Sequence, residues 1–191
     1  MPKRACGALT KRSSFRRSRS TRRWRARSKA SRSRRPARLR RIALLKDAVA
    51  WLAHIPYTCA FVSACLAESH LRAGERGLAR AVAETLLDTN RKLGYLHLEG
   101  WTERLLGECA SADDPTAAAL HLERAAEILE QVGAQNELAK TLVAQAELRA
   151  ADGDPATTRQ LLDRALAIFD ALGTLDGPDR ARRLLVTLEA G

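Results

Sequence analysis

Beyond residue 41, apolar side chains recur every three or four positions, with polar residues filling the steps between them. At Ile42, Leu45, Val49 and Leu52 this spacing predicts an amphipathic helix over residues 42–55, and Pro56 stops the pattern. The same periodicity predicts helices over about 58–73 and 78–93, with Gly74 and Gly94 as left-handed caps. Further helices follow over about 95–112, 116–132, 136–151 and 156–172, and a last one over 178–189. Two of the intervening turns, Asp113-Asp114-Pro115 and Asp152-Gly153-Asp154-Pro155, place Asp directly before Pro. Such an Asp supplies a cap oxygen, and the Pro fills a first helical position that needs no amide donor. No stretch alternates with the two-residue period of a strand, so the expectation is an all-α body.

The helices repeat in pairs. A small residue followed by Glu is succeeded, at a nearly constant interval, by an apolar residue and Gly: Ala67-Glu68 to Leu93-Gly94, Gly107-Glu108 to Val132-Gly133, Ala146-Glu147 to Leu172-Gly173. Successive copies lie about 40 residues apart. A fixed period of that size marks stacked helix pairs, because one pair cannot bury its own apolar stripe and needs neighbours. In the third unit Leu138, Leu142 and Ala146 form the inward face of the first helix, and Leu161, Leu162, Ala165, Leu166 and Phe169 that of the second. Ala67, Ala79, Ala125 and Ala165 fall where helix axes must approach closely. Trp51 and Trp101 are expected to anchor the packing.

Charge divides the chain. Residues 1–41 hold eighteen Lys or Arg and no acid, whereas residues 42–191 hold 15 bases against 22 acids. The net +11 of the whole chain describes neither part. The acidic body is a poor candidate for binding nucleic acid itself. The Arg- and Ser-rich segment 1–41 has too few large apolar side chains to offset the entropy of ordering, so it is expected to be a disordered basic tail. Three readings of it stand open. Its guanidinium groups, at Arg16, Arg17, Arg19, Arg22, Arg23, Arg25 and Arg27 among others, suit a nucleic-acid phosphate backbone. Its composition also suits a transit peptide, or an unselected stretch read from a wrong start site or a shifted frame. No apolar run approaches the roughly 20 residues of a membrane span, so no membrane partner is expected.

Catalytic chemistry is not suggested. His54, His70, His97 and His121 fall on separate predicted helices, with no local spacing for a nucleophile and base. Cys59 and Cys65 are six apart on one helix, about 240° around its axis, and cannot chelate one ion together. Cys6 and Cys109 lie elsewhere and no Cys-x2-Cys pair occurs, so the thiols read as reduced side chains of a cytoplasmic protein. Asp113-Asp114 reads as turn chemistry. No Gly-x4-Gly-Lys-Ser/Thr phosphate loop is present, and neither a metal nor a cofactor is expected.

The runs Leu66-Ala-Glu-Ser-His-Leu-Arg-Ala-Gly74, Trp101-Thr-Glu-Arg-Leu-Leu-Gly-Glu108 and Asp163-Arg-Ala-Leu-Ala-Ile-Phe-Asp-Ala-Leu-Gly173 resemble the C-terminal tetratricopeptide arrays of large bacterial signalling proteins. In that family, of the maltose-regulon activator type, repeats longer than the usual tetratricopeptide unit are joined to a nucleotide-binding ATPase module. A class III cyclase or helix-turn-helix domain often accompanies it. The resemblance covers residues 42–190 and implies a tetratricopeptide-like alpha-solenoid of antiparallel helix pairs: three repeats, a leading half repeat over 42–55 and a capping helix. It implies a fragment of such a protein, acting as a non-catalytic protein–protein interaction scaffold. The alternative is a nucleic-acid-associated protein whose tail binds phosphate while the repeats recruit a partner. The resemblance places the first helices of the units along a concave groove for a protein or peptide. Glu68, Glu108 and Glu147 then become candidate partner-binding residues that would favour a basic or amide-rich segment. Arg72 and Arg104 are the bases near comparable positions. A leading half repeat would expose Ile42, Leu45, Val49 and Leu52, inviting self-association through the helix from Ile42 to Ile55.

Overall fold

The glycine that closes each sequence repeat ends a helix. Gly94, Gly133 and Gly173 have φ of 67°, 69° and 63°, where any side chain would be strained. At the first of them the Tyr95 amide donates to the Asn90 carbonyl at 2.9 Å, closing the frayed end of the helix before it. A computed structural model describes residues 37–174 and 177–189. The chain divides into two units, residues 1–37 and 38–191, and apart from Ala37 the described residues belong to the second.

All the regular structure among the described residues is helical. Helix α1 covers residues 37–51. It is followed by α2 (Pro56–Ala73), α3 (Arg76–Leu93), α4 (Leu96–Ala110), α5 (Pro115–Gln131), α6 (Gln135–Ala151), α7 (Pro155–Leu172) and α8 (Pro178–Glu189). Helix α1 ends at residue 51, short of the expected 55, and Pro56 opens α2 in the first turn, where its missing amide costs nothing. The expected Asp caps form: Asp114 Oδ1 accepts from the Ala117 amide at 2.9 Å, and Asp154 Oδ1 from the Thr157 amide at 3.0 Å. Hydrogen bonds from Thr157 hold the Asp154 carboxyl below its ordinary pKa.

Consecutive helices pack against one another from α2 to α8. In addition α2 touches α4, α4 touches α6 and α6 touches α8, whereas the backbones of α3, α5 and α7 stay apart, α5 and α7 meeting through Arg164, which donates to Glu130 at 2.6 Å. The first helices of the pairs therefore form one contiguous row. Three apolar clusters fill the space between the helices. One joins Ala64, Ala67, Ala83, Leu86, Leu98, Trp101 and Leu105, a second Leu129, Leu138, Leu142, Ala146, Leu162, Ala165 and Phe169, and a smaller third Ala110, Ala118, Leu122, Ala144 and Leu148. Leu161 and Leu166 sit half-buried at the edge of the second. Ala67, Ala79, Ala125 and Ala165 are all fully buried.

Helix α1 departs from expectation. It is already helical at residue 37, within the segment expected to be a disordered tail through residue 41. Ile42 is only 7% exposed, and Leu45, Val49 and Leu52 are half-buried, so this face is turned inward and not left open. The Cys59 thiol of α2 donates to the Val49 carbonyl at 3.7 Å. Trp51, expected to be a packing anchor, is 74% exposed. It lies nine residues beyond Ile42, about 180° around the helix, so burying one exposes the other. The large apolar side chains open to solvent are Leu39, Leu44 and Trp51 of α1 and Ile55 after it.

Gly107, the small residue of the second signature, lets α4 approach α5 closely. A methyl added there would lie 2.7 Å from Leu122 Cγ and 3.1 Å from the Ala118 carbonyl oxygen of α5. Leu122 is fully buried and has nowhere to move. Gly107→Ala should therefore destabilise the fold by about 1–3 kcal/mol despite the better helix propensity of Ala. Urea melts would show a lowered midpoint, and an unchanged or raised midpoint would contradict the packing.

Candidate functional site

Each sequence signature sets a small residue against a neighbouring helix and the following Glu about 100° further round. Ala67 and Ala146 are buried accordingly, and Glu68, Glu108 and Glu147 line one groove along the row of first helices. The groove has a volume of about 1160 Å³ and runs from α2 to α8. All five candidate partner-binding residues, Glu68, Arg72, Arg104, Glu108 and Glu147, contribute to its wall.

Arg104 is the centre of the charge arrangement. Its side chain is 2% exposed and meets carboxylates from three helices. Nη1 donates to Glu108 on α4 at 2.5 Å. Nη2 donates to Glu137 on α6 at 2.9 Å and reaches Glu68 on α2 at 3.4 Å. Its Nε is buried without a partner. A second arginine, Arg180 on α8, grips Glu147 through two parallel bonds of 2.6 and 2.5 Å and Glu108 at 2.9 Å. Arg72 adds a 2.5 Å bond to Glu68, and Lys140 a 2.6 Å bond to Glu137. The Lys140 ammonium also lies 6.0 Å from the ring centre of Trp101.

Four carboxylates and four cations thus form one neutral, continuous network. Burial works to raise the Glu68 carboxyl, but Arg104, Lys140 and Arg72 outweigh it and hold that group below its ordinary pKa. Glu108 behaves likewise, with burial opposed and exceeded by Arg104 and Arg180. For both arginines burial favours the neutral form, yet the carboxylates around them drive the pKa well above its ordinary value, so they stay charged.

The register glutamates are therefore already paired with arginines of the same chain, where three carboxylates open to a basic segment were expected. Glu137, Lys140 and Arg180 join them without having been expected from the sequence. Local signals existed for Arg72 and Arg104, four residues from Glu68 and Glu108 respectively. Arg180 is 72 residues from Glu108, and no spacing rule connects them.

A second ionic cluster lies elsewhere on α4. Glu103, 1% exposed in its side chain, accepts from Arg91 at 2.6 Å, lies 2.6 Å from His121 Nδ1 and 3.5 Å from Arg124. It links α3, α4 and α5. His70 lies 2.6 Å from Glu75, while His54 is exposed beside Trp51. Cys59 and Cys65 are half-buried and Cys109 buried, and burial raises the thiol pKa of Cys65 and Cys109. No three metal-ligating side chains are grouped among the described residues. No helix among them is long and apolar enough to cross a membrane. The tail candidates Arg16, Arg17, Arg19, Arg22, Arg23, Arg25 and Arg27 lie outside the described residues. Comparison of the chain with protein-family models, with curated proteins and with solved structures finds no match.

Replacing Arg104 by Met leaves buried carboxylates facing one another, so the Arg104→Met variant should lose about 3–5 kcal/mol of stability near neutral pH. The pH dependence has a definite sign. Because the Glu68 and Glu108 pKa values are lowered on folding, their contribution is fully present above the unfolded carboxylate value of about 4.3 and is lost as pH falls through the folded ones. The gap between wild type and variant should thus narrow in denaturant melts as acid is added below about pH 4. A gap independent of pH would show that the ion network is not what the arginine supports.

Proposed function

We propose that residues 42–191 are a tetratricopeptide-like alpha-solenoid that serves as a cytoplasmic, non-catalytic protein–protein interaction scaffold, its groove taking a protein or peptide segment. One observation carries this reading: the first helices of the pairs line up in contact, and their repeated register builds one groove of about 1160 Å³ from α2 to α8. A row of first helices in close contact, with second helices more widely spaced, is what a curved stack of helix pairs produces. The resemblance of the repeats to the arrays of bacterial signalling ATPases gives the setting, a regulatory module that recruits or senses another protein. The exposed Leu39, Leu44 and Trp51 of α1, with Ile55 just after it, support self-association through the segment from Ile42 to Ile55 as an accompanying role.

Site-specific photocrosslinking tests the groove. A photoreactive residue at Arg72, on the groove wall, should capture a protein partner in cells. The same group at Arg164, exposed on α7 and outside the groove lining, should not. Equal capture from both positions, or capture only from the second, would count against a groove-bound partner.

The eighteen bases and absent acids of residues 1–41 support a second role, attachment to nucleic acid through the tail. Duplex DNA affinity of the full chain should then fall with salt at a log–log slope of about −0.9 per phosphate contacted, and a chain beginning at Ile42 should lose it. Equal weak binding by both chains would remove that role.

A further inference from the structure

Resting on the reading of the groove as a protein-binding surface, the geometry points to the chemistry of its occupant: we infer that the groove takes an acidic segment, held by carboxylate side chains along an extended peptide. Every carboxylate on the groove wall is already bonded to an arginine of the chain: Glu68 to Arg72 and Arg104, Glu108 to Arg104 and Arg180, Glu147 to Arg180. An incoming Lys or Arg would compete with a guanidinium for these carboxylates, and at Glu147 with the parallel pair that carboxylates hold most firmly. The cations are different. Arg76 at the start of α3 and Arg183 on α8 are exposed, line the groove, and make no ion pair among the described residues. Arg72 and Lys140 are tied by one carboxylate each and stay partly open to solvent.

With the ionic network neutral, the charge left over on the wall is positive, although residues 42–191 carry seven more acids than bases. A local cationic strip on an acidic body attracts acidic segments and repels basic ones, which sets partner choice more than raw affinity. Arg76 and Arg183 lie toward opposite ends of the row α2, α4, α6 and α8. Three helix spacings of about 9 Å and an extended rise of about 3.3 Å per residue give a segment of roughly eight residues.

The test uses the full chain and two labelled ten-residue peptides, one alternating Glu and Ser and the other Lys and Ser, followed by fluorescence anisotropy. The Glu peptide should bind, with affinity falling as salt is raised from about 50 to about 300 mM, and the Lys peptide should bind far more weakly. Arg76→Glu with Arg183→Glu, both at exposed positions that leave the network intact, should weaken the Glu peptide by about tenfold or more. Arg164→Glu on α7 should not. A Glu peptide indifferent to the double substitution is held by the basic tail or another surface, and the assignment fails. If the Lys peptide binds better and the double variant strengthens it, the groove remains a peptide site but the inferred charge is wrong. If neither peptide responds to the groove substitutions, the scaffold reading falls with the inference.

Discussion

One buried guanidinium ties the row of first helices together. Arg104 sits on α4 and bonds forward to α6 and back to α2, so three successive helices share one charge. Such an arrangement adds little net stability over an apolar filling of the same shape, since removing the ions from water costs about as much as their attraction returns. Its strength lies in direction. An apolar contact between helices tolerates sliding, whereas a planar group with fixed donors accepts its carboxylates at one register only. Arg180 repeats the device one step along, clamping α8 to α6 and α4. The ionic network therefore acts on the groove side as the apolar clusters act behind it, and the two sets of contacts constrain the same four helices from opposite faces.

This has a consequence for what the groove can do. Carboxylates that fix the register are not available to a ligand, because the arginines that would have to release them also hold the helices in place. In the proposed binding mode, recognition falls to the cations at the margins, which no helix contact requires. Glutamates and the two central arginines hold the array, and Arg76 and Arg183 stay exposed outside that network. The proposed preference for an acidic segment follows from that separation and from no single residue.

Helix α1 illustrates how a face is chosen. Ile42 and Trp51 are both large and apolar, and α1 can turn only one of them toward α2. The inward stripe of Ile42, Leu45 and Val49 extends the apolar surface of the array by three aliphatic side chains at helical spacing, while Leu44 and Trp51, seven residues apart on one face, stay exposed. The stripe itself is plain from the spacing of apolar residues. Its burial is not, since nothing in that spacing reveals that α2 offers a surface to cover it.

Local chemistry was legible in the sequence. The seven complete helices, their Asp-Pro starts and the glycines that close the repeats follow from side-chain spacing and backbone geometry within a few residues, and the structure places them within two or three positions of expectation. The glutamate register was legible too, because a regular repeat brings equivalent positions to the same face of each unit. Pairing across units was not. Whether Glu108 meets solvent, a ligand or Arg180 depends on side-chain reach between helices whose separation in sequence carries no information about distance in space. Only the packed array could decide that, and it turned an expected acidic docking row into an internal ion network with a cationic margin.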